Sequence, residues 1–92
     1  MTFKSNGLLR NEIVSDEGFT VVTGKDSLLY TEGERQMHVT TEAEPSGLAV
    51  ALDTIGRWDD NPSRTVSDDD KQRIANNIRR ALEWRGYTVS MF

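Results

Sequence analysis

The chain has 92 residues, a hydrophobic fraction of 36% and no cysteine, with eleven basic against fifteen acidic side chains and a formal net charge of -4. That length holds one sheet-and-helix core but not two, and the missing cysteine excludes a disulfide framework, a thiolate metal site and a cysteine nucleophile. Net acidity repels phosphate, which argues against direct nucleic-acid binding and suits a basic protein partner.

The charge is uneven along the chain. Residues 1–45 carry Lys4, Arg10, Lys25 and Arg35 against eight carboxylates, whereas residues 46–92 are neutral. No run of about 18 apolar residues is present to cross a membrane. The first residues, MTFKSNGLLR, lack the apolar stretch of roughly 7–15 residues that a secretory signal needs. The expectation is one domain spanning 1–92, cytoplasmic and without a membrane partner.

The first half reads as sheet. Gly7–Val14, GLLRNEIV, sets Leu9 and Ile13 on one face and Leu8 and Val14 on the other. After a turn at DEG, Phe19–Thr23 is β-branched and aromatic, which suits a pleated surface. Gly24, Lys25 and Asp26 break it. Ser27–Glu32 and Arg35–Glu42 flank Gly33. In the second of these Met37, Val39 and Thr41 alternate with Gln36, His38 and Thr40. EPSG ends that strand, and Leu48–Asp53 is an apolar run of the kind buried on both faces. Connections this short force antiparallel pairing.

Ser67, three residues before Asp70, predicts a helix start, and Asp68, Asp69 and Asp70 sit where the helix dipole is positive. Ile74, Ile78, Ala81 and Leu82 form one stripe, and Gly86 falls where a left-handed cap is needed. Tyr87–Phe92 then alternates as a closing strand. The predicted fold is α+β: an antiparallel meander of about five strands, an amphipathic helix of about 18 residues packed on it, and a last strand joining the sheet. Leu48, Val50, Leu52, Val21, Val39, Val89, Ile74, Ile78 and Leu82 are the expected core.

No catalytic constellation is found. His38 is the sole histidine and lies on the polar face of its strand. It becomes catalytic only in a deep pocket with a carboxylate in reach. H-E-x-x-H and G-x-S-x-G are absent, and TGKDS lacks the earlier glycine of a phosphate loop. The aspartates at 68–70 point about 100° apart on a helix and cannot converge on one ion. No enzyme activity, metal or cofactor is expected.

The passage DTIGRWDDNP, residues 53–62, carries the candidate site. Arg57 and Trp58 either fold back over the edge of the core or, with Asp59 and Asp60, face a basic partner. Tryptophan and arginine are enriched among interface hot spots. Trp84 lies about 80° off the centre of the helix stripe, a border position from which it could cover the connection at 56–66. The partner-binding candidates are Arg57, Trp58, Asp59, Asp60 and Trp84.

IGRWD, Pro62, SDDDKQRIANNI and ALEWRGYTV, with LLYTEGERQMHV more loosely, resemble a family of small bacterial immunity proteins of polymorphic-toxin and contact-dependent inhibition systems, nearest the immunity family numbered seventy-four. The likeness covers about residues 28–92. It implies a non-enzymatic inhibitor that binds and neutralises a cognate toxin, for example a nuclease with a basic active site. Two alternatives share the same size and charge. One is a phage or mobile-element inhibitor of a host defence complex. The other is a structural or regulatory module, monomeric or dimerising through an exposed strand such as Gly7–Val14 or Tyr87–Phe92.

Overall fold

The computed structural model describes residues 2–5 and 11–92. Among them the elements run β1 (Phe3–Ser5), β2 (Glu12–Ser15), β3 (Phe19–Thr23), β4 (Ser27–Glu32), β5 (Arg35–Glu44), β6 (Gly47–Val50), one 3-10 turn (Leu52–Thr54), β7 (Arg57–Trp58), β8 (Asn61–Thr65), α1 (Asp68–Trp84) and β9 (Thr88–Met91). The strand expected at Gly7–Val14 begins outside the described residues, and its described part is β2.

β1 to β6 pair in chain order as an antiparallel meander, and β9 adds to β6, giving a seven-stranded sheet with the helix packed against it. The α+β fold is as predicted, with β1 as an additional edge strand and a separate β7–β8 ribbon. β9 runs parallel to β6. The reason is the helix: it carries the chain back across the sheet, so the last strand enters from the same end as β6.

Strand alternation sorts the two faces. Ile13, Phe19, Val21, Leu28, Tyr30, Met37, Val39, Leu48 and Val50 point inward and meet Ile74, Ile78, Ala81 and Leu82 of the helix. Val89 and Leu52, expected in the core, are half-buried. Leu52 departs because the run Leu48–Asp53 is not all strand. The chain leaves the sheet after Val50 and turns through Leu52–Thr54, with Leu52 N–H donating to Phe92 O at 2.7 Å.

Both helix ends are closed as the sequence indicated. Ser67 Oγ accepts from Asp70 N–H at 3.2 Å. Gly86 has φ +102. Its N–H reaches Glu83 O at 3.0 Å and Tyr87 N–H reaches Leu82 O at 3.0 Å, the paired bonds of a Schellman cap. Gly47 serves a different need. A Cβ built there would lie 1.8 Å from the Thr88 carbonyl oxygen, so β9 can approach β6 this closely only at a glycine. Among the described residues no helix is long and apolar enough to cross a membrane.

Candidate functional site

β5 is ten residues long and needs two partners on one of its edges. From Thr41 to Glu44 that edge pairs with β6. Further back, the same edge is finished by the passage that follows β6. Ala51 N–H donates to Thr40 O at 3.0 Å, and Thr54 Oγ1 accepts from Thr40 N–H at 3.0 Å. Asp59 N–H donates to Gln36 O at 2.7 Å, and Asp59 Oδ1 accepts from His38 N–H at 3.3 Å. Side-chain oxygens of Thr54 and Asp59 thus stand in for strand carbonyls. An edge that would otherwise present unpaired groups is satisfied without a regular strand.

Asp59 makes a further contact. Its Oδ2 lies 2.5 Å from His38 Nδ1, and the two side chains are 39% and 63% exposed. The carboxylate expected of a catalytic histidine is present, but the imidazole stands on open surface and the pair's work is to pin the loop.

Trp58 is buried, at 6% exposure, with its ring 6.3 Å from that of Tyr30. The Arg35 guanidinium covers it at 5.7 Å. The indole therefore anchors the loop from below and leaves almost no ring surface for a partner. Arg57 and Asp60, on either side of the anchor, point out and are exposed.

Trp84 is 46% exposed and sits against Phe3, ring centroids 5.9 Å apart. Phe3 meets Phe19 at 6.1 Å, and Phe19 meets Tyr30 at 5.7 Å. The two tryptophans are thus the two ends of one aromatic row that runs from the C-terminal end of α1 through β1, β3 and β4 to β7. They do not flank a single loop. Trp84 is the last helical residue, and its ring packs on Phe3 of β1.

A larger acidic region surrounds Asp60. With Glu32, Gly33, Glu34 and Arg35 it lines a cleft of about 560 Å³. Glu32 also lines a second cleft, of about 700 Å³, with Glu17, Asp69, Arg73 and Arg80 among its walls. Sequence reasoning did not join these residues, yet a signal existed. Alternate turns of an up-and-down meander fall at one end of the sheet, as the Gly33 N–H to Gly18 O bond of 3.4 Å shows. The helix starts at that same end, bringing Asp69 and Asp70 to it.

The floor between the clefts is a hydrogen-bonded chain. Tyr30 Oη donates to Glu32 Oε2 at 2.6 Å and accepts from Asn77 Nδ2 at 3.0 Å. Arg73 reaches Glu32 Oε1 at 2.8 Å and Asp70 Oδ1 at 3.4 Å. Burial, then the Glu32 hydrogen bond, push the Tyr30 hydroxyl well above the usual tyrosine range. Among the described residues no group of three or more His, Cys, Asp or Glu is placed to hold a metal ion.

A family model described as Immunity protein 74 matches residues 20–91. The match begins at β3, earlier than the likeness expected from residue 28. No curated protein and no solved structure matches the chain.

Proposed function

The chain belongs to the Immunity protein 74 family, and from that premise we propose that it binds a cognate bacterial toxin stoichiometrically and neutralises it by occlusion. The observation that carries this reading is the family match over residues 20–91. The acidic end supports where contact is made: Asp60 of the β7–β8 turn and Glu34 of the β4–β5 turn are exposed, and with Glu32, held from within by Tyr30 and Arg73, they line one cleft. Opposite charge on a toxin, as on a nuclease that must hold phosphate, speeds encounter and fixes register. Arg57, Asp59 and Asp60 lie at the contact, Trp58 holds them in place from the core, and Trp84 is outside it.

The test is titration against the product of the adjacent upstream gene, with growth protection in cells making both proteins. Binding at one to one with protection is expected. Replacing Asp60 and Glu34 with Asn and Gln should slow association at least tenfold and flatten its salt dependence. Glu83→Gln, at the C-terminal end of the helix, should leave it unchanged. A toxin that binds the double variant as fast as the parent refutes the placement. Failure of the parent to bind or protect refutes the function.

A further inference from the structure

β9 ends the sheet, and β6 is its only strand partner among the described residues. The strand's backbone groups alternate in direction. Thr88 N–H goes to Ser46 O and Phe92 N–H to Val50 O, so residues 88, 90 and 92 face β6. Val89 and Met91 face the other way. No other backbone hydrogen bond reaches them among the described residues.

Exposed edges are commonly blunted by charge, proline or a bulge. TVSMF, residues 88–92, carries no charged side chain and no proline, and its pairing with β6 is regular. Phe92 adds an exposed aromatic side chain, 59% accessible, in the outward series of Thr88 and Ser90. Two ordered side chains border the strand. Ser90 Oγ donates to Glu44 Oε1 at 2.8 Å, and Arg79 leans on the Met91 sulfur.

We propose that this edge pairs with the β9 edge of a second copy, antiparallel about a two-fold axis through Ser90, to make one continuous sheet across two molecules. The open groups fit that axis. Val89 of one copy and Met91 of the other form a hydrogen-bonded pair that exchanges both backbone bonds, and the symmetry repeats it. Their side chains, half-buried in one copy, meet across the seam on the helix-bearing face and extend the core. On the outer face Ser90 opposes Ser90, and Phe92 lies over Thr88 of the other copy. No residue of β9 itself carries a charged side chain, and the nearest charges, Glu44 on the outer face and Arg79 on the helix-bearing face, come from neighbouring elements and lie set back from the paired backbones. An isologous contact of this kind closes at two copies. The strand is only four residues long, so the contact is small and the association is weak and concentration-dependent.

The experiment is light scattering after size exclusion, with sedimentation over a concentration series, on the parent, Ser90→Lys, Ser90→Glu and an equimolar mixture of the two variants. The parent mass should rise from 10.4 kDa toward twice that value with concentration. Each variant should stay at the single-copy mass, since like charges then oppose at the axis, while the mixture regains the double mass. Circular dichroism melts check that the exposed substitution leaves the fold intact. A parent that remains single-copy at every concentration overturns the proposal. So does a variant that doubles as the parent does. If the parent stays single-copy and Ser90→Lys loses toxin binding instead, the edge serves a toxin strand and self-pairing is refuted. Because mass is read without toxin, this outcome is independent of the toxin-binding result.

Discussion

Replacing Asp59 with alanine separates the two uses of the passage that joins β6 to α1. In the folded chain Asp59 gives one oxygen to His38 N–H at 3.3 Å and the other to the His38 ring at 2.5 Å. Its own N–H, on Gln36 O at 2.7 Å, is a backbone group that the substitution does not remove. A net hydrogen bond contributes about 0.5–1.5 kcal/mol. Both side chains here are more than a third exposed, so water replaces part of what is lost and the charge contribution is discounted. Asp59→Ala should therefore cost about 1–2 kcal/mol, which lowers the melting temperature by roughly 4–15 °C in a domain of this size.

Asp59→Asn keeps an oxygen for His38 N–H and gives up only the carboxylate at the ring, so its cost should be about half. Urea titration followed by tryptophan fluorescence measures both, because Trp58 sits directly beneath the loop. A double-mutant cycle with His38→Ala isolates the pair, with an expected coupling of about 0.5–1 kcal/mol. Asp60→Ala, which has no described partner to lose, should stay within about 0.5 kcal/mol of the parent while slowing toxin association. If Asp59→Ala melts with the parent, or Asp59→Asn is as damaging as Asp59→Ala, the loop is not held by these two bonds and the reasoning fails.

Two further outcomes test the scaffold. Gly47→Ala places a methyl group 1.8 Å from the Thr88 oxygen, which must retreat by more than an ångström, so a loss of about 2–4 kcal/mol is expected by chemical denaturation. Gly56→Ala, whose new carbon meets nothing closer than 3.6 Å, should be near neutral. For Tyr30, the folded-state value lies above the unfolded one of about 10, so the folded chain holds its proton longer. The stability this supplies is complete below pH of about 10 and is lost as pH rises from there through the folded-state value. Tyr30→Phe lacks that titration. The stability gap between parent and variant should narrow as pH rises above about 10, and a constant gap would contradict the assignment.

The helix was legible to its caps because its signals are local: Ser67, the stripe from Ile74 to Leu82, and Gly86 all act within a few residues. The meander was legible because alternation and short connections leave little choice. What local pattern could not show was the direction of β9, which depends on where the helix returns the chain, and the end of β6, which depends on β5 needing Thr54 and Asp59 along its free edge. Residues 46–92 are neutral as a sequence. Folding nevertheless brings Asp60 and Asp69 to the end that already holds Glu17, Glu32 and Glu34, so carboxylates from both halves of the chain share one end, with Arg35, Arg73 and Arg80 among them.

The two readings of Asp53–Pro62 divide by residue. Thr54 and Asp59 complete β5, Trp58 fills the space beside Tyr30, and Arg57 and Asp60 are left outside. This division has a consequence for binding. Ordering a loose loop at an interface costs free energy that the new interactions must offset. Here the loop is already fixed at Gln36, His38 and the core, so Asp60 is presented in one position before any partner arrives. A carboxylate held in that way can select a basic partner by geometry as well as by charge. Under the proposed function the buried tryptophan supports recognition from beneath the loop, and removing it should weaken toxin binding through the disorder of Arg57 and Asp60.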